Sequence, residues 1–201
     1  MMHYTHTYNS NKGFSLVETL VAIAILLIVI VGPMSIATNA ANSTSFANQQ
    51  IMAYFLAQEG LELAQKGRDD FLLASFDAGN AEGSDVAWDD FTAGSVFDDC
   101  FSANGCGLEI DETTDGEVLV NECDPITECR LYITDDTSQR SRYSYDSSLS
   151  GATASDFTRI ITMDTSGDEV LVTSEVRWRS GNQIAVQSTT ATTYLYNIYG
   201  R

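Results

Sequence analysis

Positive charge is scarce in this chain. Of 201 residues, 10 are Lys or Arg and 28 are Asp or Glu, a formal net charge of -18. Between Asp69 and Glu128 stand seventeen acidic residues and not one Lys or Arg. A surface of that sign repels phosphate backbones, so no nucleic-acid partner is expected. Histidine is scarcer still. His3 and His6 are the only two, both at the extreme N-terminus. The rest of the chain therefore lacks the base for Ser-His or Cys-His catalysis. No G-x-S-x-G elbow and no phosphate-cradling G-x-x-x-x-G-K-[ST] is present. Carboxylates are too many for any pair to stand out as a glycosidase couple. Trp88, Trp178 and the tyrosines read as core or sheet-face residues. The chain is expected not to be an enzyme.

The abundant acid has two readings. One is a solvated face that keeps the protein soluble. The other is calcium, which prefers clustered carboxylate and carbonyl oxygens. No stretch matches the EF-hand loop. Asp164 and Asp168, close together in one loop, are the candidate ligands, and turn-forming Asp at a hairpin is the competing explanation.

Cysteine is sparse but patterned. Cys100, Cys106, Cys123 and Cys129 form two pairs with five residues inside each. Zinc sites use shorter C-x₂₋₄-C spacings, and no His stands near. Disulfides outside the cytoplasm are expected. Two connectivities remain open. Local loops join Cys100 to Cys106 and Cys123 to Cys129; nested rungs join Cys106 to Cys123 and Cys100 to Cys129. The turn-like residues 124–128 favour the local loops.

Apolar residues are concentrated near the start. From Phe14 to Val31 only Ser15, Glu18 and Thr19 are polar among eighteen residues. A helix of that length, rising about 1.5 Å per residue, nearly crosses a bilayer core. Gly32 and Pro33 follow and mark a weak point. A secretory signal peptide would be shorter and end in a small-residue cut site. A plain anchor leaves Glu18 unexplained, because a carboxylate at that depth should face a partner. A third reading uses every feature. A leader, residues 1–13, is cut after Gly13; Phe14 becomes the N-terminus, and its α-amino group is a cation at neutral pH. Glu18 of one copy then meets the Phe14 amine of a neighbour, so that both charges are paired when buried.

The stretch Gly13-Phe14-Ser15-Leu16-Val17-Glu18-Thr19-Leu20 resembles the leader junction of type IV prepilins and type II secretion pseudopilins. The resemblance covers residues 12 to about 35. It implies cleavage after Gly13 by a prepilin peptidase, N-methylation of Phe14, and a subunit-registering role for Glu18. It implies a structural subunit, a minor pilin or pseudopilin, of a type IV pilus or type II secretion filament. Its partners would be the peptidase and other pilin subunits. The chain would pass once through the cytoplasmic membrane with its N-terminus inside, then enter an extracellular or periplasmic filament. Lys12 is the leader's one firm positive charge, so orientation rests on the cleavage motif and the cysteines rather than on loop charge. The alternative is a filament-tip adhesin or cargo-binding module with a calcium-stabilised acidic head. A membrane-tethered hydrolase is a third.

The expected fold is α+β and pilin-like. One long helix runs from Phe14 to about Arg68, with its assembly half at 14–33 and its second half at 34–68. Phe55, Leu56, Leu61, Leu63 and Ala64 form its apolar stripe, Glu62 and Lys66 pair on its surface, and Gly67 with Asp69-Asp70 ends it. A β-rich head spans 69–201, within which 71–132 reads as a cysteine-bearing insertion. Leu108 and Ile110 should face Val118 and Val120 across a hairpin turning at Thr114-Asp115-Gly116. Residues 157–163 and 170–178 should pair across 164–168, and a further strand should follow within 184–199. Val170, Val172, Ser174, Val176 and Trp178 share one face. About four antiparallel strands are expected.

Overall fold

The computed structural model describes residues 13, 15–77, 83–93, 96–111, 116–123, 129–134, 142–180 and 185–197. Residues 1–12, Phe14, Thr114, Asp115, 124–128 and 181–184, on which several of the expectations fall, lie outside them. The chain divides into two units, Met1–Ser45 and Phe46–Arg201. Helix α1 (Leu16–Asp77) contributes to both.

In the first unit every described side chain is exposed. Ile28 is 75% exposed and Val31 65%. The helical assignment continues through Gly32 and Pro33. It also continues through the Asn-, Ser- and Thr-rich stretch that follows, whose side chains tend to compete with helical hydrogen bonds. Here the threonines bond back onto the helix. Thr19 Oγ1 donates to Leu16 O at 2.8 Å, Thr38 Oγ1 to Ser35 O at 2.9 Å and Thr44 Oγ1 to Ala40 O at 2.9 Å. A hydroxyl satisfied within its own helix can be carried into an apolar environment.

Among the described residues the second unit comprises α1 from Phe46 onward, a short helix α2 (Gly83–Thr92), a 3-10 turn (Asp98–Phe101) and a sheet of seven antiparallel strands. These are β1 (Cys106–Ile110), β2 (Val118–Glu122), β3 (Arg130–Thr134), β4 (Arg142–Ser144), β5 (Ala152–Ser166), β6 (Glu169–Trp178) and β7 (Gln187–Tyr196). The sheet is organised on β5, fifteen residues long. Along one side β5 pairs with β1 and β3; along the other it pairs with β6, and β6 with β7. The α+β architecture is as expected, but the strand count is higher. The difference lies mostly within 71–132, where β1, β2 and the start of β3 are part of the sheet rather than an appendage to it. The β1–β2 register is the expected one, Leu108 opposite Val120 and Ile110 opposite Val118.

The helix face that meets the sheet carries Ala53, Leu56, Ala57, Leu63 and Ala64, all buried. Their i, i+3, i+4 spacing is that of one helix face. Phe55, expected on it, is 60% exposed on another face. Small residues let the layers approach closely: a Cβ at Gly60 would sit 2.5 Å from Ser174 Oγ, and one at Gly67 would collide with the Phe97 ring. Gly67 is therefore a packing glycine, and α1 runs nine residues past Arg68, to Asp77. The acidic pair does not end the helix because each acid has a base beside it. Arg68 Nη2 lies 2.6 Å from Asp69 Oδ1, and Lys66 Nζ lies 2.7 Å from Asp70 Oδ2. Lys66 thus pairs forward with Asp70 rather than back with Glu62. Beyond them Phe71 packs edge-on against Phe91 of α2 and against Phe97. On the sheet side Val170, Val172, Ser174, Val176 and Trp178 are all buried on one face of β6, as alternation requires.

Candidate functional site: an open junction and a closed polar lock

Two places concentrate charge against apolar surroundings. The first is the start of α1. Glu18 lies in its first turn, where a carboxylate complements the helix dipole. It is exposed and has no hydrogen bond or ion pair among the described residues. Around it Leu16, Val17, Leu20 and Val21 are also exposed. A Cβ built on Gly13 would meet nothing within 4 Å, so packing inside the chain does not require glycine there.

The second place is Arg159 on β5, buried to 1% exposure between sheet and helix. Each nitrogen of its fork donates a hydrogen bond. Nε donates to Tyr145 Oη at 2.9 Å, Nη2 to Leu108 O at 2.7 Å, and Nη1 to Glu59 Oε2 at 2.7 Å and Leu56 O at 3.3 Å. Tyr145 Oη donates in turn to Arg159 O at 3.1 Å, and the guanidinium stands over the Tyr145 ring at 5.4 Å. One side chain thus ties α1, β1 and the residue after β4 to β5. Burial works against the guanidinium charge, but Tyr145 and Glu59 outweigh it and hold the Arg159 pKa above its ordinary value. Burial pushes the Tyr145 phenol up, opposed by the Arg159 cation. Beside this lock, Glu109 accepts from Ser144 Oγ at 2.7 Å, Tyr145 N at 3.1 Å and Asn121 Nδ2 at 3.1 Å, tying β1, β2 and β4 together. These groups satisfy one another, and the cavity at their edge holds only about 170 Å³. The arrangement fastens a helix to a sheet. Sequence reasoning passed over Arg159; the available signal was a lone base inside the otherwise strand-like FTRIITM.

The remaining candidates separate. Cys100 bonds Cys106, joining the 3-10 turn to β1, and Cys123 bonds Cys129, joining the end of β2 to the start of β3. These are the local loops. Asp164 sits within β5 opposite Leu171, whereas Asp168 is in the two-residue turn Gly167-Asp168. The strands run closer to the turn than expected because Gly167 adopts φ +64, which a tight hairpin turn needs. Among the described residues no group of three or more His, Cys, Asp or Glu is placed to hold a metal ion. Trp88 and Trp178 are both core residues.

The model of the prokaryotic N-terminal methylation motif matches residues 8–32. This motif match supports a type IV prepilin-like protein. Searches among curated proteins and solved structures return no match. Within the prepilin-like family the motif is the substrate signal of the prepilin peptidase. Here the match extends into α1, the one described helix with a stretch long and apolar enough to cross a membrane.

Proposed function

We propose that this prepilin-like chain is a structural subunit of a type IV pilus or type II secretion-like filament. It enters the cytoplasmic membrane with residues 1–13 inside, and prepilin peptidase cuts after Gly13 and methylates Phe14. The observation that carries the reading is the methylation motif set on a helix whose apolar side chains are left uncovered. Isolated leucines on a surface need no explanation, but a contiguous apolar surface marks a membrane or protein contact. Lipid covers it first, and neighbouring helices cover it in the filament. Glu18 then meets the Phe14 amine of an adjacent subunit, which explains an acid placed where no described residue of the chain supplies a partner. The openness around Gly13 supports the same scheme, since the demand for glycine comes from the peptidase. Mass spectrometry of the mature protein tests this directly. The expected N-terminus is a methylated Phe14; an intact leader would sink the assignment. Copy number in isolated filaments separates a minor subunit from a major one.

A further inference from the structure

Seven of the ten basic residues lie beyond Asp69. One of them, Arg159, is sealed in the core. Three others, Arg130, Arg177 and Arg179, line one open groove of about 660 Å³ on the sheet. Arg130 stands opposite Thr158, and Thr158 opposite Arg177, so the two guanidinium-bearing positions flank a threonine on adjacent strands. At about 4.8 Å per strand their backbones are roughly 10 Å apart. Arg130 spends Nε on Ser155 O at 2.9 Å, and Arg177 spends Nη2 on Glu175 at 2.7 Å. The rest of each fork, and Arg179, have no hydrogen bond or ion pair among the described residues. Among the described residues Asp156 is the one acid in the lining.

The opposite charge has a place of its own. In the base-free stretch 69–128, Asp89 and Asp90 at the end of α2 and Asp99 on the 3-10 turn are exposed. Trp88 and Phe91 of α2 and Phe97 beside the 3-10 turn pack their rings with centroids 5.3 to 6.0 Å apart, so the two acid-bearing elements share one aromatic cluster. We propose that the arginine groove of one copy receives the Asp89-Asp90 and Asp99 ridge of a second copy. Charge complementarity is the first argument. Two chains of net charge -18 repel at most orientations, and a juxtaposition of opposite patches fixes which orientation is tolerated. Symmetry is the second. Groove and ridge are different patches of the same chain, so a copy that gives one and receives the other makes a heterologous contact, which passes from copy to copy and gives an open helical assembly where the rotation does not close. The proposal rests on the filament reading, which brings copies side by side.

The test places a photo-crosslinking amino acid at Thr158 in the full-length chain, with filaments sheared from cells and the membrane fraction examined in parallel. The expected product joins Thr158 of one copy to a peptide spanning residues 88–99 of another. Arg130→Glu with Arg177→Glu should cut the yield about tenfold, and adding Asp89→Arg with Asp90→Arg should restore it to within about twofold. Arg130→Lys with Arg177→Lys keeps the charge and should keep most of the product, which guards against misfolding. A product that maps elsewhere, joins a different protein, or survives the charge reversal overturns the docking. Mass spectrometry of the same samples separates the two ideas. A processed N-terminus in filaments lacking the crosslink defeats only the groove, whereas an unprocessed leader defeats the filament reading.

Discussion

The apolar span and the head each carry a charge in greasy surroundings, and they handle it in opposite ways. Arg159 is surrounded by its own chain: four hydrogen-bond acceptors from three other parts of the fold, at 2.7 to 3.3 Å. Glu18 finds no partner in the described chain and stands among exposed aliphatic side chains. The same residue types diverge likewise, with Ile161 and Val172 fully buried in the head and Ile28 and Val31 bare on the span. The head is self-sufficient as a packing problem, and the span is not. A charge satisfied internally ties the fold together; one left open is available to a partner.

Substitution at the two sites should therefore break different things. Arg159→Ala leaves Leu56 O, Leu108 O and the Tyr145 hydroxyl short of a donor, and should destabilise the head by about 3–5 kcal/mol. Chemical unfolding of the full chain in detergent, followed by tryptophan fluorescence, measures it. Glu59 is half-exposed, so Glu59→Gln should cost far less. Glu18→Ala should leave that unfolding curve unchanged and leave cleavage intact, yet remove the subunit from filaments. If Glu18→Ala assembled normally, the proposed pairing with the Phe14 amine would fail. If it destabilised the head, the contrast between the two regions would fail.

The same contrast explains what could be read from the sequence. The span was legible because membrane length, Gly13, Phe14 and Glu18 are strictly local signals. The hairpins were legible where alternation and turn chemistry coincide, as in Leu108–Val120 and Val170–Trp178. Long-range packing was not. Gly67 looked like a helix end because nothing local announces the ring of Phe97. Asp69 and Asp70 looked like breakers although Arg68 and Lys66 answer them. The segment 71–132 looked like an insertion because a single rung, Cys106 opposite Ile161, joins β1 to β5. The lone base Arg159 stood out in its strand, but its partners did not, being 14, 51, 100 and 103 residues away.

The disulfides sharpen the comparison at smaller magnitude. Each closes a short loop of sequence separation six, so replacing either pair by alanine should lower head stability by about 2 kcal/mol. The readout is the same unfolding curve, and filament entry should persist wherever the head still folds. A larger loss from the Cys123–Cys129 pair than from Cys100–Cys106 would show that holding β2 to β3 matters more than holding the 3-10 turn to β1.

The smallest effect expected is an alkaline one, confined to the head. Tyr145 is buried and keeps its proton to higher pH than a free tyrosine, chiefly because burial disfavours the phenolate. Below the unfolded value of about 10, folded and unfolded chains are both protonated and the full contribution of Tyr145 is present. As pH rises through that value the unfolded chain releases the proton while the folded one retains it, so stability falls until the folded value is passed. Tyr145→Phe should lose about 1 kcal/mol at neutral pH with its hydrogen bonds to Arg159. It should also show a shallower decline in the unfolding midpoint between about pH 9 and about pH 11. Part of the decline should survive in the variant, because burial and Asp156 raise Tyr143 as well. An identical alkaline slope in both proteins would mean that Tyr145 is solvated in practice. The Arg159 lock would then be open to water.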